Sequence, residues 1–486
     1  MWSPAALLGA ALLCLTPLAA LSPDGASIGE GLRHTELRAS TPEADSEVEG
    51  PVEEILLAFT TSVQAPLSRI TVFGPDGGTL ASGPIGHPSE EEQDHLRIAL
   101  QQPANSGSYR VEWRAMAPDG HLVEGTFEFS VIGAEVDPEE EMPEEMPEVT
   151  PPAVQEEPLP PADPEASPPP PTREAEGLPT GTGVRWLQLI ASVLLLGAVG
   201  VRFGVLPPLG RKGALSEVRS RMRNGLWRYG WVAAVLLLVA LPLRLRDQLG
   251  LIGDGIGWNE ASFLLFQTGW GAGWFLQLFV GVLAVVGLVL AAPRGLDDRG
   301  WSVLAVAALL LPLVPALQGH AWGAEEARAF AVPSLYLHVA GAGLWLGGLA
   351  LLILVGLPAL KATPTSSEEL GNPPSVTPPL ARLVNAFSRL ALIAVGIVVV
   401  TGSLNSWILV GGPQAVFGTD YGRTLLLKLG LVAVAFTLGF YNWRKVRPRL
   451  AKDPDPGALR IPASVEAVFG IVILLVTAIL VASPPP

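Results

Sequence analysis

The chain has 486 residues, of which 49% are hydrophobic and 16% charged, and its mean hydropathy is +0.40. This composition is typical of a membrane protein and excludes a wholly soluble chain. The net charge of −15 is concentrated in residues 134–180, where fourteen acidic residues and one arginine give −13.

Residues 1–20 contain the apolar run AALLGAALLCLTPLAA, which ends in small residues and predicts a secretory signal peptide. The first four residues lack the usual basic charge, so an uncleaved anchor is the alternative. The only cysteine, Cys14, lies in this run. A cleaved chain would therefore have no thiol for a disulfide, a zinc site or catalysis.

Residues 34–133 alternate or cluster β-forming residues between turn signals, as in SRITVFGPDGGTLA, SYRVEWRAM and GTFEFSVIG. About 100 residues of such short strands predict a small all-β sandwich or barrel. His87 and His95 lie in a polar loop of this domain and are expected to be solvated.

Residues 134–180 are rich in proline and glutamate. Proline stiffens the chain and like charges repel, so this segment is expected to be a disordered, extended linker. Its reach would be at most about 140 Å, at roughly 3.1 Å per residue.

Eight apolar segments follow within residues 183–486 and predict an all-α polytopic membrane domain of eight transmembrane helices. Most are long enough for a hydrocarbon core that needs about 20 residues, although the second is short. The segments lie near residues 183–205, 228–243, 268–292, 301–318, 331–356, 386–411, 424–441 and 463–483.

Basic residues are concentrated in the first and last loops between these segments, for example Arg219 and Arg221 in the first and Arg447 and Arg449 in the last. Such loops stay in the cytoplasm. We therefore expect a multi-pass protein of the cell (inner) membrane, with the β domain and the C-terminus extracytoplasmic.

Residues 122–486 contain two histidines, His320 and His338. His320 ends the fourth predicted helix and His338 lies about two turns into the fifth, so both are expected in the outer leaflet. Imidazole binds copper, zinc and haem iron, and ionisable groups at membrane depth are candidate sites by default. The pair predicts a metal or cofactor site, and the alternative is that each histidine only hydrogen-bonds or caps a helix.

Two further ionisable groups, Arg389 and Glu466, lie about one turn from the cytoplasmic edge of the sixth and eighth predicted helices. We expect them to form a structural intramembrane ion pair. A proton or ion gate is the alternative.

Several motifs resemble a known family. LHVAGAGLWLGGL (337–349), QGHAW (318–322), TDYGRTLLLKLGL (419–431) and YNWR (441–444) resemble the copper-resistance membrane protein CopD. The opening HTELRASTP and the segment YRVEWRAMAPDGHLVEGTFEFSV resemble the periplasmic copper-binding protein CopC. The whole chain looks like a CopC–CopD fusion.

The resemblance implies that Cu(II) is held in the β domain by His34, Asp119 and His121, with His34 supplying its amine and its ring as the first mature residue. Two imidazoles and a carboxylate suit tetragonal Cu(II). Cleavage near Ala20 would leave extra residues before His34, so either a second protease trims the chain or the side chains alone bind Cu(II) more weakly.

The leading hypothesis is a copper-binding membrane protein that captures copper outside and passes it to His320 and His338 for uptake, homeostasis or resistance. The oxidation state of copper at the membrane site is left open. The rival is a redox membrane protein in which His320 and His338 ligate haem b, and a third alternative is copper buffering or signalling without transport.

No methionine or cysteine follows Arg223, which excludes a sulfur relay for Cu(I) through the helices. No P-loop is present, so transport would be driven by a gradient or by the membrane potential. We expect no enzyme activity and no nucleic-acid or nucleotide partner. The expected partners are the copper ion, the lipid bilayer and periplasmic copper chaperones.

Overall fold

The computed structural model has a β domain followed by a helical domain. It describes residues 35–82, 85–118, 120–133, 179, 181–209, 214–253, 256–292, 297–323, 327–361, 379–410, 413–450 and 456–483. The predicted signal peptide (1–20) lies outside the described residues, and so does all of the predicted linker (134–180) except residue 179.

The β domain is a sandwich of two sheets. One sheet has the strand order β1-β3-β6 and the other β2-β8-β7-β4-β5. The strands are β1 (Leu37–Thr41), β2 (Glu47–Glu49), β3 (Val52–Phe59), β4 (Arg69–Phe73), β5 (Thr79–Ser82), β6 (His95–Ala104), β7 (Gly107–Met116) and β8 (Leu122–Ile132). The prediction of a small all-β sandwich is confirmed.

Alternation of side chains explains the sandwich core. Along β7 buried and exposed residues alternate, because successive side chains of a strand point to opposite faces. Trp113 packs edge-on against Phe59 of the other sheet, with ring centroids 5.4 Å apart. This contact between the sheets holds β7 and β8 in place.

The helical part of the described chain contains eight helices that are long and apolar enough to cross a membrane. They are α1 (Thr182–Leu209), α2 (Leu215–Ile252), α4 (Gly269–Leu290), α5 (Asp298–Leu317), α7 (Arg328–Lys361), α8 (Pro379–Val410), α10 (Asp420–Leu450) and α11 (Gly457–Ala482). Three short helices lie between them: α3 (Trp258–Gln267), α6 (His320–Gly323) and α9 (Pro413–Gly418).

Helix α2 is much longer than its apolar segment predicted. It extends to Ile252 because Arg244, Arg246 and Asp247 continue the helix beyond the apolar stretch. Charged side chains end the apolar segment but not the helix, because arginine is a good helix former. The extension leads directly to α3, and the two form a shelf at one end of the bundle.

The β domain rests on this shelf. Leu67 and Met116 of the β domain form one buried cluster with Ile252, Leu264 and Trp270 of the helical domain. Burial of apolar surface contributes about 25 cal/mol per Å², so this cluster stabilises docking of the two domains. The loop between β7 and β8 is thereby held against the ends of the helices on this side of the bundle.

Candidate functional site

The β7–β8 hairpin ends in a tight loop that carries the predicted copper ligand His121. The backbone N–H of Ala117 donates to the carbonyl of His121 (2.8 Å), and the N–H of Gly120 donates to the carbonyl of Ala117 (3.0 Å). Gly120 has a φ of +82°, in the left-handed region that favours glycine. The loop therefore presents His121 in a fixed orientation.

Two residues of the helical domain contact this loop. The side-chain Nε2 of Gln248, in α2, donates to the carbonyl oxygen of Gly120 at 2.7 Å. A Cβ atom added at Gly120 would lie 3.2 Å from Cδ1 of Trp270. Gln248 and Trp270 thus hold the loop by a hydrogen bond and by close packing, and only a residue without a side chain fits comfortably between them.

The docked loop places His121 on His320, the first residue of α6. The two imidazole rings are stacked, with centroids 4.3 Å apart and an interplanar angle of 22°. Two nitrogen ligands of one metal lie at most about 4 Å apart, because each metal–nitrogen bond is about 2.0 Å. The two rings are therefore direct neighbours, and an ion bound by one ring would move only a few ångströms to reach the other, although their near-parallel planes do not aim both lone pairs at one point.

A hydrogen bond to the last membrane helix orients the His121 ring. Its Nε2 lies 3.2 Å from the carbonyl oxygen of Val481, near the end of α11. A carbonyl only accepts, so Nε2 carries the proton, and a neutral ring then has its lone pair on Nδ1. Metal-binding histidines typically donate their other N–H in this way.

His338 has a different set of neighbours, in α8. Its Nδ1 lies 3.2 Å from Oγ1 of Thr401, whose hydroxyl donates to the carbonyl of Ile397 at 2.6 Å. Because the hydroxyl has only one proton, it accepts from Nδ1–H of His338. The lone pair of a neutral His338 is therefore on Nε2, which leaves this nitrogen as its metal-binding atom.

His320 and His338 lie on different elements, α6 and α7, and the expectation of a shared outer-leaflet site stays a prediction. His338 follows Arg328 by ten residues, about 15 Å along α7. Arg328 itself donates to the carbonyl of Trp322, two residues beyond His320. His338 therefore lies nearly three turns along α7 from Arg328, the residue that contacts the segment of His320.

A positive charge lies near His338. Lys428 of α10 is close enough to His338 to interact with it electrostatically. An ammonium group repels a metal cation, so His338 is the weaker metal candidate of the two.

His34 and Asp119, the other predicted copper ligands, lie outside the described residues. Within the described ranges no group of three or more His, Cys, Asp or Glu side chains could hold a metal ion. In the polar loop Nδ1 of His87 contacts the carbonyl of His95 at 2.7 Å, and His95 contacts Asp94 at 2.8 Å. These two histidines belong to the loop's own hydrogen bonds.

The expected ion pair between Arg389 and Glu466 is not formed in the structure. Arg389 is exposed on α8, whereas Glu466 is buried on α11. The carboxylate of Glu466 instead accepts from Nε1 of Trp345 (3.4 Å) and from Nδ2 of Asn442 (3.1 Å). Similar depth in two helices does not bring side chains together when they point in different directions.

Comparison with known families agrees with the division of the chain. The CopC domain matches residues 37–132, the "Copper resistance protein D-like, N-terminal domain" matches residues 179–329, and "Copper resistance protein D" matches residues 381–480. The chain belongs to the CopC–CopD copper-resistance family. Proteins of this copper transport and resistance family are generally non-enzymatic.

The chain is also similar to curated relatives. It is 25% identical to "Copper transport protein CutJ" of Bacillus subtilis (strain 168) over 466 residues, which cover 93% of this chain and 74% of that protein. It is 32% identical over 105 residues to "Copper resistance protein C" of Escherichia coli, covering 21% of this chain and 82% of that protein. No support for the haem b alternative comes from these relatives.

A solved structure covers the β domain of this CopC–CopD protein. CopC from Methylosinus trichosporium OB3b is 27% identical, covers 21% of this chain and 97% of its own, and has a TM-score of 0.20. Assignment of the β domain rests on the family match over residues 37–132 and on the two-sheet topology.

No sequence motif indicates the residues that join the two domains. Gln248, Trp270 and the carbonyl of Val481 contact the Asp-Gly-His loop, yet none belongs to a metal-binding motif. One signal was available: a glutamine in a segment rich in arginine and leucine, directly after an apolar helix, is a candidate for a contact at the membrane surface.

Proposed function

We propose that this CopC–CopD protein captures copper outside the membrane in its β domain and transfers it to the membrane domain at His320 for uptake. The observation that carries the proposal is the stacking of His121 on His320, with ring centroids 4.3 Å apart. One ligand of the proposed capture site thereby contacts the first proposed ligand of the membrane domain.

The proposed capture site consists of His34, Asp119 and His121, and its cargo is Cu(II). Two imidazoles and a carboxylate suit this ion. When His320 replaces a ligand on the bound ion, copper moves without passing through water. Ligand exchange between neighbouring imidazoles is therefore the proposed chemistry of transfer, with His338 as the next ligand further into the membrane.

The proposed direction is inward. An inside-negative potential favours cation entry by about 2.3 kcal/mol per charge per 100 mV. The basic loops between α1 and α2 and between α10 and α11 support a cytoplasmic location for that side of the bundle. The β domain, His121 and His320 then all lie on the extracytoplasmic side.

Copper uptake into proteoliposomes tests the proposal. The full chain is reconstituted with an inside-negative potential, and copper in the vesicles is measured by elemental analysis at low external copper. We expect His320→Ala and His121→Ala each to lower the initial rate tenfold or more, because each removes one partner of the exchange. His338→Ala should lower the rate while the β domain still binds copper.

A matched histidine variant separates these effects from a general loss of histidine. His87→Ala changes a histidine of the same β domain that contacts His95 and not the helical domain, so its rate should equal that of the wild type. Wild-type rates in both His121→Ala and His320→Ala would contradict the transfer. If the wild type binds copper but none enters the vesicles, the protein buffers or senses copper rather than transporting it.

A further inference from the structure

A buried carboxylate with no assigned role lies within the membrane domain. Glu466 is 6% exposed and follows the first residue of α11 by nine residues, about 14 Å along the helix. Its two hydrogen-bond donors, the indole of Trp345 and the amide of Asn442, are both neutral. The carboxylate is therefore buried among helices without a compensating charge on its donors.

Both donors lie in π-helical turns. Trp345 lies in the π turn Gly343–Gly347 of α7, and Asn442 is the first residue of the π turn Asn442–Val446 of α10. Such turns are rare and are found disproportionately at functional sites, because the extra residue redirects a side chain. Two separate helices thus carry a π turn at the point where each reaches the same carboxylate.

The helix backbone also approaches this carboxylate closely. A Cβ atom added at Gly439 would lie 3.1 Å from Oε1 of Glu466. Asn442 has a further polar atom, Oδ1, that is buried and has no hydrogen-bond partner in the part of the chain that the structure describes. An unused acceptor therefore lies on the same amide that donates to Glu466.

The ionisable groups on the helices that pack against α11 do not pair with Glu466. No ion pair or hydrogen bond joins any of them to its carboxylate within the described ranges. The groups are Arg185 and Arg202 on α1, Arg328, Tyr336, His338 and Lys361 on α7, Asp420, Tyr421, Arg423, Lys428, Tyr441, Arg444, Lys445, Arg447 and Arg449 on α10, and Arg460 on α11 itself.

We propose that Glu466, Asn442 and Trp345 form a proton-binding site in the membrane domain. An unpaired carboxylate in hydrocarbon is costly, and a bound proton removes the charge. The proton forms an O–H bond on Oε2. If the amide of Asn442 turns over, Oδ1 accepts this O–H, while Trp345 continues to donate to Oε1. Both protonation states are then hydrogen-bonded.

This proton site goes beyond the proposed copper uptake and does not depend on it. The carboxylate is reached by α7, the helix that carries His338, so proton binding and this histidine share one element. A proton that enters and leaves this site is the kind of ion whose gradient could drive cation movement through the same bundle.

Infrared spectroscopy of the full chain in lipid nanodiscs, without copper, tests the site directly. A protonated buried carboxyl has a carbonyl stretch that is separate from the bands of carboxylates and amides. We expect the wild type to show this band at neutral pH, and Glu466→Gln to lack it. The control Glu217→Gln makes the same chemical change at an exposed residue of α2 and should keep the band.

A second measurement on the wild type covers the case in which Glu466→Gln does not fold. A hydrophobic carbodiimide adds to a protonated carboxyl, and the adduct rearranges to an N-acylurea with no leaving group. Peptide mass spectrometry should locate this adduct on Glu466, with less of it as the pH rises.

A wild-type spectrum without the band, or a band that persists in Glu466→Gln, overturns the proton site. Neither readout uses copper. A failure here therefore leaves the proposed copper uptake intact, and a failure of copper uptake leaves the proton site intact.

Discussion

At the residue scale, the contact between the domains depends on a single glycine. Gly120 has a positive φ and also lies against Trp270 and Gln248. Gly120→Ala should weaken docking and lower copper transfer, because its Cβ must displace these side chains in addition to straining the backbone by about 1–2 kcal/mol. Docking is measured by hydrogen exchange at residues 117–121, which should become faster.

Gly77→Ala is the matched control for Gly120→Ala. Gly77 has a φ of +77° in the same domain, but nothing lies within 4 Å of an added Cβ. It therefore reproduces the backbone strain without the contact to the helical domain. Equal exchange at residues 117–121 in the two variants would show that Trp270 and Gln248 do not hold the loop.

The sequence named candidate residues for the site, which stay predictions, but it did not indicate how they are arranged. His121 could be named through the resemblance of its Asp-Gly-His turn to CopC, and His320 because histidine is rare in apolar segments. Their stacking could not be predicted, because it depends on side chains with no metal chemistry, such as Gln248 and Trp270. The predicted ion pair of Arg389 with Glu466 is not formed. The position of a residue along its helix could be read from the sequence, but the rotation and packing of the helix, which decide where its side chain points, could not.

Tyr109 gives the β domain a pH dependence that a single residue explains. It is 5% exposed, and its hydroxyl donates to the carbonyl of Asn105 at 2.8 Å. Burial, aided by the charge of Asp76, raises the pKa of Tyr109 above 10.0. A raised tyrosine pKa gives stability that is present below about pH 10 and is lost as the pH rises through the folded-state pKa.

We therefore expect the melting temperature of the β domain in the full chain to fall between pH 9 and pH 11, and Tyr109→Phe to remove this fall. The β domain contains no lysine and no other tyrosine, so no other side chain there titrates in this range. Tyr109→Phe should itself cost about 1 kcal/mol at neutral pH through the lost hydrogen bond. An unchanged alkaline slope in Tyr109→Phe would contradict the assignment.

At the scale of elements, two helices of the bundle touch through their backbones. A Cβ atom added at Gly347 of α7 would overlap the carbonyl oxygen of Val193 and lie 2.9 Å from Cα of Gly197, both in α1. Gly347 forms a GxxxG spacing with Gly343, a pattern that allows close helix approach in membranes. This spacing was readable from the sequence, whereas its partner helix was not.

Gly347→Ala should therefore separate α1 from α7 and destabilise the bundle by about 1–3 kcal/mol or more. The measurement is the fraction of monodisperse protein that survives heating in detergent. Gly396→Ala in α8 is the matched control, because nothing lies within 4 Å of its added Cβ. That variant should be unchanged or slightly more stable, since alanine is the better helix former by about 1 kcal/mol.

At the scale of the whole molecule, the N-terminal domain lies at the same end of the helical bundle as the C-terminal end of the last helix. His121 contacts the carbonyl of Val481, near the C-terminal end of α11. A reporter that fluoresces only in the cytoplasm should therefore be dark when fused after Pro486 and bright when inserted between α1 and α2. The reverse pattern would place the β domain inside and exclude capture of external copper.

The acidic, proline-rich segment 134–180 gives the final prediction, because it tethers the β domain to the helices. A tether converts docking into an intramolecular event with an effective concentration of order mM. Cleavage at a protease site inserted between residues 150 and 160, followed by removal of the released β domain, should lower copper uptake tenfold or more at low copper. High external copper should restore it, since His320 would then be loaded without capture. The same insertion left uncleaved is the control, and undiminished uptake after release would mean that the helices collect copper without the β domain.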